Sequence, residues 1–183
     1  MVSVVVSLAM RRLLLLRHAK SDRPPGVPDH DRPLHRRGVR DSAVVGTYLA
    51  HNALIPEQVL CSTAKRTRET WDVVAHQLPK PPPVDFEDRL YEADSPAILT
   101  LLRGTAQKVH SLLVVGHNPG IQRVALILVA SGDVEARERL HEKFPTGALA
   151  VVDFTLDEWS KLHPRSGRLD RFIAPRQLEA EPD

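Results

Sequence analysis

Cysteine occurs once in the 183 residues, as Cys61, so no internal disulfide can form and a disulfide-stapled secreted scaffold is excluded. A reducing compartment, the cytoplasm, is the simpler expectation. Aromatic residues make up only 4% of the chain, and there is no basic repeat, which leaves little material for the stacking platforms that hold single-stranded nucleic acid. Long apolar runs are missing too. None approaches the roughly 18 residues of a membrane helix, and the run from Val2 to Met10 is cut by Arg11 and Arg12. Residues 1–9 also lack the positive n-region of a signal peptide, so they are expected to be an extension ahead of a natural start at Met10. Low complexity is excluded, because Pro and Gly total 24 of 183 residues, about 13%, against the roughly 25–30% that marks it. Nine histidines invite a metal, yet none falls in an HExxH or a Cys/His array.

What is present looks like an ordinary globular chain, with 42% hydrophobic and 26% charged residues. At about 150 residues per domain it makes one domain, expected over residues 10–175, with a flexible acidic tail at 176–183. The net charge of +2 is unevenly placed. Residues 11–40 hold nine Arg or Lys against three Asp, a local +6, and such asymmetry suits an anionic ligand.

Short apolar runs alternate with longer helical patterns. Residues 12–16 form a leucine run, the pattern of a buried parallel strand. Residues 20–35, rich in Pro, Asp and Arg, form a long excursion of the kind that usually serves function. Helical spacing runs from about 36 to 52, and a strand follows at 58–61. The next helix, over 63–78, is expected to be capped by Ser62 and stopped by Pro79 and Pro81. A short strand at 84–86, a helix at 94–103 and a strand at 111–115 come next. Two helices, 121–131 and 135–143, precede strands at 148–154 and 171–173, expected to be antiparallel at one edge. After Pro175 the chain is expected to fray. The alternation predicts an α/β sheet with helices on both faces.

Three polar clusters begin at the carboxyl ends of predicted strands: Arg17-His18, 62–66 and His117-Asn118. Ligands of open α/β sheets bind beyond those ends. If the three strands are neighbours, two imidazoles and at least two guanidiniums converge. Guanidinium forks grip phosphate oxygens and cannot lose their charge, and a neutral imidazole is a competent nucleophile toward phosphorus. Asn118-Pro119 offers an N-cap and first turn for the next helix, whose free N–H groups favour an anion. Each cluster alone has a plainer explanation. Arg17 can pair an acid at a strand end, Ser62 can be only a cap, and a single His is usually a structural hydrogen-bonder. Lys65 and Arg68 suit a wet helix face, whereas Arg66, one turn beyond Ser62, points back toward the strand end. Cys61, Trp71 and Trp159 read as packing residues, and His30 and His35 as loop histidines.

Four segments together, LLLLRHAKSD (13–22), DRPLHRRG (31–38), STAKRTRET (62–70) and VVGHNPG (114–120), resemble the histidine phosphatase superfamily. They are most similar to its short branch, which includes the SixA phosphohistidine phosphatases. The resemblance covers about residues 11–155, with the segments in the family's order. It implies a phosphoglycerate mutase-like three-layer α/β/α sandwich with a mostly parallel central sheet. It also implies that His18 accepts the phosphoryl group, that Arg17, Arg66 and His117 complete the phosphate pocket, and that no cofactor or metal is needed. The family's usual Arg-His-Gly is Arg17-His18-Ala19 here. Glu92 and Asp94 fall where larger members place a general acid, with Asp22 and Asp31 as alternatives. A phosphorylated protein, carrying phosphohistidine, is the expected substrate. A small phosphate ester on the same site, or a non-catalytic anion-binding or protein-binding module, are the alternatives. Neither nucleic acid nor membrane is an expected partner.

Overall fold

The computed structural model describes residues 9–179. Residues 1–8 and 180–183, which hold nearly all of the expected extension and the end of the expected tail, lie outside the described residues. The leucine run is the middle of β1 (Met10–Arg17), and the strand period of two divides it between two cores. Leu13 and Leu15 face one layer of helices, while Leu14 and Leu16 face the other. Strand β2 (Gln58–Ser62) leads to β3 (Val84–Glu87), β4 (Ser111–Gly116), β5 (Val129–Gly132), β6 (Leu149–Thr155) and β7 (Gly167–Ile173). The sheet order is β3-β2-β4-β1-β6-β7-β5. Among the described residues, six strands run the same way and β6 alone is reversed, antiparallel to both β1 and β7.

On one face, α1 (Arg36–His51) and α2 (Lys65–His76) bury Val45, Leu49, Trp71 and Val74. On the other, α3 (Ser95–Arg103), α4 (Gly120–Leu128) and α5 (Val134–Glu142) bury Ile98, Leu102, Val124 and Leu140. The result is a three-layer α/β/α arrangement. Several caps follow from the sequence. Asp94 accepts from the Ala97 amide ahead of Pro96, and Asp133 accepts from Ala136. Trp71 and Trp159 are buried, and the Trp159 indole donates to the Val109 carbonyl at 2.7 Å.

Four expectations need correction. The helix expected over 121–131 stops at Leu128, and Val129–Gly132 becomes the edge strand beside β7. The strands expected at one edge are therefore interior: β6 lies between β1 and β7, and β5 closes that side. Helix α2 starts at Lys65 with Ala64 as its N-cap, so Ser62 is not the cap. The chain after Pro175 does not simply fray, because Pro175–Glu179 forms α6, packed against α1.

Candidate active site

Strands β2, β4 and β1 are adjacent in the sheet and parallel, so their carboxyl ends form one rim. Arg17 ends β1, Ser62 ends β2 with Arg66 in the first turn of α2, and His117 follows β4 directly. The rings of His18 and His117 lie 5.4 Å apart between centroids, tilted by 55°. His18, Arg66 and His117 are each no more than 6% exposed.

Backbone bonds knit this rim. The His18 amide donates to Gly116 O at 3.1 Å, and the Gly147 amide donates to His18 O at 3.0 Å. Ala19, fully buried, donates its amide to Thr70 Oγ1 at 3.0 Å, and Thr70 in turn donates to Arg66 O. Ala19 does not have a positive φ, so a residue with a Cβ fits where the family usually has Gly. Gly38 is a genuine requirement, because a Cβ there would meet Lys20 O at 2.1 Å and push α1 off the segment that follows His18.

His18 Nδ1 lies 2.8 Å from Ala19 O. A carbonyl only accepts, so Nδ1 carries the ring proton and Nε2 keeps its lone pair. Burial, reinforced by Arg66, Arg17 and Arg32, lowers the His18 pKa to about 4 against the pull of that carbonyl bond. His117 is lowered to about 3 by burial first and then by His18 and Arg66. Both rings are neutral at pH 7.

Each arginine is pinned at its tip. Arg17 Nη1 donates to Phe144 O at 2.9 Å, which also accepts from Asn118 Nδ2 at 3.1 Å. Burial, then the Arg66 charge, lowers the Arg17 pKa. Arg66 donates from Nη1 to Asp29 O at 2.8 Å and from Nη2 to Asp29 Oδ2 at 3.2 Å. The inner edges are different. Arg17 Nε, Arg66 Nε and His117 Nδ1 are all buried without a hydrogen-bond partner among the described residues. Buried polar groups are rarely left so. Three of them, on side chains whose charges or rings act on His18, suit a tetrahedral oxyanion.

Sequence reasoning missed three contributors from the excursion and from the segment after β3. Asp29 accepts from Arg66, from Arg32 Nε at 2.9 Å and from the Tyr91 hydroxyl at 2.5 Å. These bonds, Tyr91's first, hold the Asp29 pKa down at about 2, and the Tyr91 hydroxyl is correspondingly raised to about 12. The Tyr91 ring stands edge-on to both His117 and His30. His30, expected as a plain loop residue, sits at the margin of the cluster with Nε2 3.0 Å from Thr63 Oγ1. The one available signal was that a long charged excursion belongs near a site.

Among the described residues, none of the four candidate acids is hydrogen-bonded to Arg17, His18, Arg66 or His117, although Glu92 follows Tyr91 directly. Asp94 is occupied as the α3 cap, Asp22 accepts from the Arg23 amide, Asp31 lies beside His30, and Glu92 is exposed with a φ of 53°. Lys65 and Arg68 are exposed, as expected of a wet face. Asn118 does not cap α4 as expected, since Pro119 holds that position; its Oδ1 accepts from the Gln122 amide at 3.3 Å. Cys61 is buried, and burial pushes its thiol up to about 12, away from thiolate chemistry.

Known proteins share this architecture. An uncharacterised protein of Mycobacterium leprae (strain TN), ML1117, is 40% identical over 166 residues, covering 88% of this chain and all of that one. A structure from Nakamurella multipartitia, provisionally named phosphohistidine phosphatase SixA, matches with a TM-score of 0.80 at 30% identity, covering 91% of this chain and 96% of the other. The protein histidine phosphatase SixA complexed with tungstate matches with a TM-score of 0.73 at 25% identity, covering 91% and 99%. The model of the histidine phosphatase superfamily (branch 1) matches residues 13–110, and the chain belongs to that superfamily.

Proposed function

We propose that the chain is a cytoplasmic, metal-independent phosphatase that hydrolyses protein phosphohistidine through a phospho-His18 intermediate. The observation that carries this is the locked His18 ring. Its Nδ1 proton is committed to Ala19 O, so Nε2 keeps a lone pair in the field of the Arg17 and Arg66 guanidiniums, whose Nε groups have no partner among the described residues. His18 Nε2 attacks phosphorus in line, and the P–N bond to the substrate ring breaks as the bond to His18 forms, the ring taking the electron pair and leaving as neutral imidazole because its other nitrogen carries a proton. The two guanidiniums hold the equatorial oxygens, and His117 donates a hydrogen bond to the group in transit. Water then attacks phosphorus, the P–N bond to His18 breaks, and inorganic phosphate leaves. The proton lost by water passes to solvent, and His18 returns to its neutral form.

The placement of the carboxylates favours phosphohistidine over an alkyl phosphate. An alkoxide leaving group calls for a protonated acid at its oxygen. Among the described residues, the carboxylate bonded to the cluster's guanidinium is Asp29, ionised at any neutral pH by its bonds to Tyr91, Arg32 and Arg66. Imidazole leaves more readily and needs less help. The SixA neighbours are named for the same substrate class. The single buried cysteine fits a reducing compartment.

Incubation with a phosphorylated histidine protein carrying labelled phosphate, followed by acid-free trapping, should give an acid-labile label that maps to His18. Phosphate binding with no label and no hydrolysis would identify a non-catalytic binding module instead. Faster turnover of phosphomonoesters than of the phosphohistidine protein would transfer the same chemistry to small-molecule substrates.

A further inference from the structure

Ser62 was expected to cap a helix, yet Ala64 holds that position and the Ser62 hydroxyl turns instead to His117, with Oγ 2.7 Å from Nε2. The residue is fully buried, so its hydroxyl hydrogen needs an acceptor inside the protein. The Ala64 amide, 3.4 Å from Oγ, can only donate. The Ser62 carbonyl is engaged separately, accepting from Thr67 Oγ1 at 2.8 Å, which anchors the end of β2. Among the described residues, His117 Nε2 is therefore the acceptor that remains for the Ser62 proton.

We propose that Ser62 is a positioning residue that sets the tautomer of His117: its hydroxyl donates to Nε2, which keeps the single ring proton on Nδ1 and aims that N–H into the phosphate cradle. This rests on the function proposed above for the same site. A neutral imidazole has one donor and one acceptor nitrogen. His117 is neutral, because burial and the neighbouring cations disfavour its charged form. It can hydrogen-bond a phosphoryl oxygen only if the proton is on the nitrogen facing that oxygen. Nδ1 is the buried nitrogen with no partner among the described residues; the Nε groups of Arg17 and Arg66 are equally unpartnered, and both charges act on this ring. The opposite tautomer fails twice: the Ser62 hydroxyl hydrogen has no acceptor, and a lone pair on Nδ1 faces an anion. The His18 ring is fixed by the same logic through a different group, since Ala19 O claims its Nδ1 proton and leaves Nε2 unprotonated. The two rings thus carry their protons on the same atom for opposite purposes, one to expose a lone pair and the other to present a donor.

The test is imidazole nitrogen NMR on the full chain, labelled with ¹⁵N, at pH 7.5. The proposal expects His117 protonated at Nδ1 and unprotonated at Nε2, and a dominant Nε2–H form overturns it. Ser62→Ala should shift His117 toward the Nε2–H form, lower kcat on the phosphohistidine protein by about ten- to a hundredfold, as loss of a ligand-orienting partner does elsewhere, and weaken inorganic phosphate binding. Ser62→Thr keeps a hydroxyl and should recover most of the loss. An unchanged tautomer and kcat in a folded Ser62→Ala protein overturns the proposal. The wild-type spectrum decides the matter even if that variant does not fold. The spectrum and phosphate binding do not depend on hydrolysis, so a chain inactive on phosphohistidine removes the proposed substrate without deciding the tautomer.

Discussion

At the start of β1, Arg12 donates twice to Asp153, at 2.7 and 2.9 Å, and its pKa is raised by that bond. At the end of the same strand, Arg17 has a backbone carbonyl for a partner, and its pKa is lowered by burial and by Arg66. One residue type, five positions away, serves opposite ends. The Arg12 charge is cancelled on the spot by a carboxylate from β6. The Arg17 charge is oriented without being cancelled, its Nε left unpartnered among the described residues. Arg66 shares this state in part, because Asp29 occupies its tip and leaves Nε free. Charge matched within the fold stabilises the fold, while charge steered but left over is available to a ligand.

Substitutions at the two ends should separate these roles. The largest effect is expected from His18→Ala, which should lower turnover by more than about a thousandfold; ordinary steady-state rates in a folded His18→Ala protein would remove the proposed mechanism. Arg17→Ala or Arg66→Ala should each cost on the order of 3 kcal/mol of transition-state stabilisation, about a hundredfold in kcat/KM. Asp29→Ala should cost roughly tenfold in kcat/KM by loosening Arg66 rather than by removing a proton donor. Its rate loss should not change between pH 6 and 8, whereas loss of a general acid would change the profile. Arg12→Ala should leave kcat/KM alone and lower unfolding free energy by about 1 kcal/mol, read from urea melts. If Arg12→Ala impairs turnover as strongly as Arg17→Ala, the contrast between the two ends is broken.

The histidines add a pH dependence, with its sign set by their lowered values. His18 near 4 and His117 near 3 in the folded protein stay neutral where the unfolded chain, near 6.5, takes up protons. Their contribution to stability is therefore complete above about pH 6.5 and is lost as pH falls toward 4. Urea midpoints should drop between pH 7 and 5, and the drop should shrink in His18→Asn. The acid limb of kcat/KM, corrected for ionisation of the substrate, should lie well below 6.5.

The centre of the sheet was plain in the sequence because its strands are buried on both faces and read as unbroken Leu and Val runs. The edge was not. Val129–Gly132 continues the apolar pattern of α4, and its partner β7 (GRLDRFI) carries charges that hide all but its last residues. The four residues of the cluster were legible for a related reason, since each stands at or just after the carboxyl end of a recognisable strand. Asp29, Arg32 and Tyr91 come from segments without periodicity, and only folding brings Asp29 to Arg66 and Tyr91 to Asp29. Ser62 was visible as a residue but not in its role. A serine ahead of a helix looks like a cap whether its hydroxyl turns to the helix or away from it.

The lone reversed strand has a further consequence. With β6 running against its neighbours, the reactive rim meets the loop that enters this strand rather than one that leaves it. That entry loop supplies Phe144 O to Arg17 and the Gly147 amide to His18 O. Residues 144–147 therefore belong to the candidate site, and a lengthened connection there should be tolerated far less well than one at the opposite end of the same strand.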